Sequence, residues 1–464
     1  MGEPRTFSIR TFGCQMNEHD AERLAGLLVA DGLVPVGEGQ DADVVVFNTC
    51  TIRENADLKL YSALGHLKAL KAQRPDMQIA VGGCMAQKDR GLIRERAEWV
   101  DVVFGTHNLA EAPGLLARAR AEGPLVQVWD APSPEASRDM APALYAVRDV
   151  AWSAWMTIQT GCDNSCAYCI VPAVRGEEIS RPLADLVEEG RMLAAAGVSE
   201  ITVLGQNVNS YGRDITGRAP LFGTLLRELG AIEGIERIRF TSPHPKDLRP
   251  ETIEAMAETP AVCPQLHLPM QSGSNRVLAA MRRGYRIERY LERLASARAV
   301  VPDLAVTTDL IVGFPGESDA EFDETLAAVA EAEFDSAYTF IFSPREGTRA
   351  AQMTEQFVDA EVVKERFARL KEVLDRSSLR RHEARVGRRE EVLVEGPSKR
   401  NPGVLSGRTR QGKLTHFAPG ELAPRPGALV EVDVTYGAPY YLRAELVRVL
   451  RGPRHRTRLA VTSA

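Results

Sequence analysis

Through residues 1–125, short apolar runs alternate with stretches in which apolar positions recur every three to four residues. Thr6–Thr11, Val44–Phe47, Gln78–Val81 and Val102–Phe104 read as strands. Glu18–Ala30, Ala56–Lys71 and Leu92–Trp99 read as helices, the first ending before Gly32. Such alternation predicts a parallel α/β sheet. The Ala- and Pro-rich stretch Ala131–Pro142 predicts a linker. Beyond it the alternation resumes on a larger scale. Strands are expected at Trp155–Gln159, Glu200–Leu204, Arg237–Thr241, Gln265–Leu268, Ala305–Ile311 and Ser336–Phe342. Helices are expected at Leu183–Ala195, Leu221–Leu229, Pro250–Glu258, Arg276–Met281, Ile287–Ala297 and Ala320–Glu331. Six β–α units predict a complete or partial (β/α) barrel, with its chemistry at the C-terminal strand ends. Further on, Glu391–Glu395, Val404–Thr409, Leu414–Phe417, Ala428–Tyr436 and Tyr441–Arg448 are short, alternating and bounded by Gly, Pro and Asn. They predict a small antiparallel β-barrel. The expected organisation is an N-terminal domain over 1–128, a linker over 129–148, a central domain over 149–380, a barrel over 381–450 and a basic tail over 451–464.

Composition adds limits. At 464 residues the chain is long enough for about three domains. With 44% apolar and 26% charged residues it is neither disordered nor fibrous. No stretch approaches the roughly 18–20 apolar residues of a membrane span, and the first residues lack a signal-peptide core, so a cytoplasmic protein without membrane partners is expected. The formal charge of −6 would ordinarily disfavour a nucleic-acid partner. It is unevenly spread, however. Residues 381–464 hold 16 Lys and Arg against 8 Asp and Glu, a net of +8, whereas residues 1–380 carry −14. A basic module on an acidic body suggests local contact with a polyanion, or a solvated surface.

The seven cysteines, at 14, 50, 84, 162, 166, 169 and 263, are too few and too scattered for a disulfide framework and point to metal binding or catalysis. Cys162, Cys166 and Cys169 follow directly on the first strand of the central region. Three thiolates within eight residues must face one point, and thiolates suit zinc or an iron–sulfur cluster. Structural zinc would want a fourth ligand, yet no Cys or His occurs in the next twenty residues. Three ligands on a four-iron cluster leave one iron open, which marks a reactive site. Cys14, Cys50 and Cys84 each lie just past a predicted parallel strand, whose ends line up on one sheet edge. They could form a second cluster site. Cys263, before Pro264, reads as structural or incidental.

The C-x3-C-x2-C spacing resembles the radical S-adenosylmethionine superfamily. Gly13-Cys14-Gln15-Met16-Asn17-Glu18, Asn48-Thr49-Cys50-Thr51-Ile52-Arg53 and Gly82-Gly83-Cys84-Met85-Ala86 narrow this to the methylthiotransferase family. Leu204-Gly205-Gln206-Asn207-Val208-Asn209, His267-Leu268-Pro269-Met270-Gln271-Ser272-Gly273-Ser274 and Gly313-Phe314-Pro315-Gly316-Glu317 add to it. The C-terminal barrel is similar to a TRAM domain, an RNA-binding module. The chain departs from the family at Ala173-Val174, where Tyr-Thr is common.

The resemblance implies two [4Fe-4S] clusters, held by Cys162, Cys166 and Cys169 and by Cys14, Cys50 and Cys84. It also implies two S-adenosylmethionine molecules per turnover, one of them cleaved to a 5′-deoxyadenosyl radical. Gly205, Gln206, Asn207, Gln271, Gly313, Pro315 and Glu317 would hold this cofactor. Gln15-Met16-Asn17 and Thr51-Ile52-Arg53 resemble the branch that methylthiolates isopentenylated adenosine 37 in a tRNA anticodon stem-loop; other branches act on threonylcarbamoyl adenosine 37 or a ribosomal-protein aspartate. A non-enzymatic iron–sulfur RNA-binding sensor is a further alternative. An electron donor such as flavodoxin and a monomeric state are expected. Candidate RNA contacts are Arg388, Arg389, Lys399, Arg400, Arg408, Arg410 and Lys413, with His416 and Phe417 for stacking, and Arg282 and Arg283 near the active mouth.

Overall fold

Val44-Val45-Val46-Phe47, three β-branched residues and an aromatic, is buried on both faces, which suits the middle of a parallel sheet. In a computed structural model that describes residues 5–37, 41–51, 56–131, 146–148 and 150–454, this run is the centre of a six-stranded sheet. Its strands are β1 (Thr6–Thr11), β2 (Val34–Pro35), β3 (Val44–Thr49), β4 (Gln78–Gly83), β5 (Val102–Phe104) and β6 (Leu125–Gln127), in the order β2-β1-β3-β4-β5-β6. Every pairing is parallel. Helices cover both faces over two separate apolar cores. The expected linker falls mostly on residues 132–145, and the expected basic tail mostly on 455–464; both stretches lie outside the described residues.

The central region opens with β7 (Ser153–Thr157) and a small ribbon of β8 (Gln159–Thr160) with β9 (Ile179–Ser180). It continues through β10 (Glu200–Leu204), β11 (Arg237–Phe240), β12 (Gln265–His267), β13 (Ala305–Val312) and β14 (Ser336–Ile341). These form two parallel three-stranded sheets, β7-β10-β11 and β12-β13-β14, joined by the Ile238–Val262 bridge. Among the described residues no ladder joins β14 to β7, so the barrel is partial. One large core fills the space between strands and outer helices.

The 24-residue helix Ala360–Glu383 leads out of the central region, started by Asp359, whose carboxylate accepts the Glu361 amide. It runs unbroken through residues 380 and 381, so the expected boundary there falls inside a helix. The chain then closes a barrel from β15 (Arg389–Pro397), β16 (Leu405–Thr409), β17 (Leu414–Phe417), β18 (Leu429–Ala438) and β19 (Tyr441–Arg451). Four of its pairings are antiparallel, but β17 and β19 run parallel. An alternating pattern fixes side-chain faces but not the relative direction of strands.

This barrel docks on the N-terminal ends of the central strands. Buried Arg237 pairs with Glu391 at 2.8 Å and donates to the Arg408 carbonyl, while Arg239 donates to the Thr409 and Arg410 carbonyls. Lys413 is buried against Asp335 at 2.6 Å, and Gln411 donates to Asp303. The β16–β17 turn meets the Gln265 side chain at the foot of β12, and Gly412 there takes φ +76°, the left-handed region that favours glycine.

Candidate functional site

Because β1, β3 and β4 are parallel neighbours, their C-terminal ends lie on one edge. Cys50 directly follows β3, Cys84 begins the helix Cys84–Asp89 directly after β4, and Cys14 follows the turn after β1. A Cβ on Gly13 would lie 2.9 Å from Cys50 Cβ, and one on Gly83 (φ +92°) would lie 2.6 Å from the Thr49 carbonyl. Glycine at both positions lets the three chain ends close up. Asn17 Nδ2 donates to the Thr49 carbonyl and Asn48 Nδ2 to the Asn17 carbonyl, pinning the Cys14 turn to the end of β3. Burial raises the Cys84 thiol to about 11, with Arg175 opposing the shift and Cys50 and Cys14 adding to it. The three cysteines thus line one sheet edge, although among the described residues no three His, Cys, Asp or Glu side chains are gathered closely enough to hold a single metal ion.

Arg175 ends the short helix Val171–Arg175 of the central region and reaches into this site. Its Nε donates to Cys84 Sγ at 3.3 Å, and its Nη2 forms a 2.7 Å ion pair with Asp20 on the helix Gln15–Ala30. Burial alone would lower its pKa, but Asp20 and the Cys84 and Cys14 thiols raise it, so it stays cationic. His19, buried one residue earlier, contacts Thr157 Oγ1 on β7 at 2.7 Å, and burial holds its pKa down at about 3.

Cys162, Cys166 and Cys169 occupy the loop after β7 and β8. Gly161 (φ +75°) starts it, and a Cβ there would fall 1.8 Å from the Glu177 carbonyl. The Cys169 amide donates to the Cys166 carbonyl, folding the loop inward. Asn164 Nδ2 lies 3.4 Å from Cys162 Sγ, and Arg283 Nη1 lies 3.4 Å from Cys166 Sγ. Burial pushes Cys169 up to about 12, with Cys166 and Cys162 adding to the shift. Thiols this reluctant to ionise alone are normally deprotonated by a bound metal, and both groups of three, each beside a guanidinium, fit an anionic iron–sulfur cluster. The two sites adjoin: Cys84 packs against Val174 and against Ile170, the neighbour of Cys169. Cys263 stands apart, its amide paired with Ile238.

The residues expected to hold S-adenosylmethionine sit at the strand ends beside this loop. Gln206 Oε1, Asn207 Oδ1 and Gln271 Oε1 are buried acceptors without a hydrogen-bond partner among the described residues. Buried polar atoms left open in this way fit a polar ligand. Gly205 passes so close to Gln159 that a Cβ would lie 2.9 Å from its Cγ, and Gly313 (φ +74°) likewise meets Val363. Pro315 is buried in the same turn. Glu317 accepts from the Gly313 amide at 2.9 Å and from Arg366 at 3.1 Å. Its carboxylate is therefore spent on shaping the Gly313 turn, and a direct cofactor contact is not its evident use.

The basic residues of the C-terminal barrel divide. Lys413 is buried against Asp335 and Phe417 lies in the barrel core, so neither can meet RNA. Arg410 donates to the Glu236 carbonyl at the interface. Arg388 pairs with Asp303, Arg389 with Asp433 and Arg408 with Glu395. Lys399 and Arg400 are exposed in the β15–β16 loop. His416 stacks edge-on to Tyr441, whose neighbour Arg443 lies over both the Tyr436 and Tyr441 rings. Arg443 and its tyrosines escaped sequence reading; their strand positions alternate outward, but only the hairpin pairing of β18 with β19 brings them together. Arg283 belongs to the Cys166 site rather than to an RNA surface, and Ile52 and Arg53 lie outside the described residues.

Comparison with known proteins agrees with this geometry. Residues 6–105 match the Uncharacterized protein family UPF0004, 156–329 the Radical SAM superfamily and 383–447 the TRAM domain. The tRNA-2-methylthio-N(6)-dimethylallyladenosine synthase of Mycolicibacterium vanbaalenii is 52% identical over 95% of this chain and 88% of its own. The protein of the same name from Parafrankia sp. is 54% identical over 95% and 90%. The chain belongs to the tRNA-2-methylthio-N(6)-dimethylallyladenosine synthase family of radical S-adenosylmethionine enzymes. Membership of that superfamily implies a [4Fe-4S] cluster and S-adenosylmethionine. A solved radical S-adenosylmethionine methyltransferase, TsrM from Kitasatospora setae, shares the fold, with a TM-score of 0.52 and 15% identity over 72% of each chain. No helix of the described residues is long and apolar enough to cross a membrane.

Proposed function

We propose that this enzyme converts N6-isopentenyladenosine 37 of tRNA to its 2-methylthio derivative, with Cys162, Cys166 and Cys169 holding one [4Fe-4S] cluster and Cys14, Cys50 and Cys84 a second. The observation that carries the reading is the pair of adjoining three-cysteine sites at the boundary between the N-terminal sheet and the central barrel. A C2–H bond of adenine is neither acidic nor a hydride donor, so no acid or base in the chain could break it. When bound, the clusters and S-adenosylmethionine supply the radical and sulfur chemistry that this bond requires. The chain's residues position and insulate. Gln206, Asn207 and Gln271 offer open acceptors to the cofactor, Arg175 and Arg283 set positive charge beside the thiolates, and the N-terminal sheet excludes water.

Lys399, Arg400 and the Arg443–tyrosine group supply phosphate contacts and stacking for the anticodon stem-loop. A base in a loop costs less to extrude than one in a duplex. In this reading the enzyme works in the cytoplasm, as a monomer served by a flavodoxin-type electron donor. The test is anaerobic: reconstituted protein, reductant and S-adenosylmethionine are incubated with stem-loops carrying isopentenyl- or threonylcarbamoyl-adenosine 37, and nucleosides are read by mass spectrometry. Methylthiolation of the isopentenylated RNA alone is expected. Reaction of the threonylcarbamoyl RNA instead would transfer the chain to the other branch, and absence of both products would remove the reading.

A further inference from the structure

We infer that Tyr338 and Phe340 on β14, with Ile311 and the His267–Asp309 pair beside them, form the shelf on which the target adenine and its branched N6 substituent are seated. This rests on the function proposed above and adds to it Tyr338, Phe340 and Asp309, which neither the motifs nor the strand ends indicate.

Side chains alternate across a strand, so one face of β13 and β14 meets the outer helices and the other faces the barrel interior. Val306, Leu310, Val312 and Ala337 pack with the large core on the helix side. Thr307, Asp309 and Ile311 therefore face inward, and the register sets Tyr338 beside Asp309 and Phe340 beside Ile311. Contacts agree: the His267 and Tyr338 rings meet edge to face at 6.1 Å, and His267 Nε2 lies 3.3 Å from Asp309 Oδ2. The His267 ring is oriented through Nδ1, 2.9 Å from Thr307 Oγ1.

Two aromatic side chains on the inner face of a barrel would ordinarily be filled over. Here Tyr338 is 62% and Phe340 51% exposed. They lie on the edge strand of the partial barrel, where no described strand continues the sheet. The shelf is continuous with the cluster loop, because Ile311 packs in the same apolar group as Ala167 and Tyr168.

The chemistry commits to one occupant. Flat aromatic surfaces stack a base, and base–aromatic stacking is worth enough to hold a flipped nucleotide. Ile311 and Phe340 offer apolar contact to a branched five-carbon chain, which a threonylcarbamoyl group, carrying a carboxylate, would not match. The Asp309 carboxylate is an acceptor suited to the N6–H of a substituted adenine.

The experiment uses the full-length, reconstituted enzyme and two stem-loops that differ only in the isopentenyl group. Tyr338→Ala and Phe340→Ala should each raise the KM for the prenylated RNA about tenfold, while the affinity for S-adenosylmethionine and the iron content stay at wild-type values. Tyr338→Phe keeps the stacking face and should restore the wild-type KM. Phe340→Ala should also narrow the binding preference for prenylated over unprenylated RNA to within about twofold, because the apolar contact is lost. An unchanged RNA KM in both alanine variants, or a parallel loss of S-adenosylmethionine affinity, would overturn the shelf while leaving the proposed function standing. A wild-type enzyme that methylthiolates neither RNA would instead remove the function on which the shelf depends.

Discussion

Arg175 Nε lies 3.3 Å from Cys84 Sγ while its Nη2 lies 2.7 Å from Asp20 Oδ2, so one buried guanidinium ties a thiol of the N-terminal sheet, a helix of the same domain and the loop of the central barrel. Arg175→Met should destabilise the protein by about 3 kcal/mol, because Asp20 keeps its buried charge with only Arg23, 4.0 Å away, to oppose it. Arg175→Lys should recover most of that stability through Asp20 but not the contact to Cys84. Thermal unfolding and anaerobic iron content, measured together, separate the effects: the Lys variant should melt near wild type yet bind less iron at the N-terminal site.

The two cysteine groups should fail differently. Cys166→Ala should abolish formation of 5′-deoxyadenosine, whereas Cys50→Ala should retain it and lose methylthiolated product. Each should lower bound iron by about four atoms per chain. Normal product from Cys50→Ala would contradict a working N-terminal cluster.

The C-terminal basic residues should sort into two phenotypes. Lys413→Ala strands Asp335 in the interface and should cost about 3 kcal/mol in stability. Lys399→Ala with Arg400→Ala should leave the melting temperature unchanged and weaken tRNA binding, reducing the slope of log affinity against log salt by about one to two. Salt titration of tRNA binding by both variants, beside their melting curves, makes the distinction.

Acid should loosen the protein, at the domain boundary through His19 and within the central region through His244, whose ring meets Tyr285 edge to face. Burial lowers His19 to about 3 and His244 to about 2, against an ordinary value of 6.5. The unfolded chain therefore binds more protons than the native one below 6.5, and stability present above that value falls as pH is lowered towards the native pKa values. Each histidine should contribute a slope of about 1.4 kcal/mol per pH unit below pH 6. Unfolding midpoints from pH 7 to 5 should fall less steeply in His19→Gln, where this term is absent.

Much of this was legible from residue order. Three cysteines after three parallel strands were expected at one edge, and β1, β3 and β4 do lie side by side, with Cys50 and Cys84 directly after two of them. Strand spans such as Leu414–Phe417 followed from alternation alone. What stayed hidden depends on contacts distant in sequence. The charge of residues 381–464 suggested an RNA surface, yet Lys413 and Arg410 face the central domain, because carboxylates and carbonyls some 80 to 170 positions earlier draw them inward. Phe417 has the look of a stacking residue and is a core residue, since the parity of β17 turns it into the barrel. Arg175 directly follows the Ala173-Val174 departure, but its own importance appears only when the Asp20 helix folds against it.

The turn Arg410–Lys413, wedged under the foot of the central strands, has a mechanical consequence. Arg237, Arg239, Lys413 and Gln411 fasten the small barrel to the large one through at least four buried or half-buried attachments. The C-terminal module is thus a fixed arm and not a tethered one. A nucleic acid gripped at its outer surface would reach the central strand ends at a set span, so that length as well as chemistry would count in what is accepted.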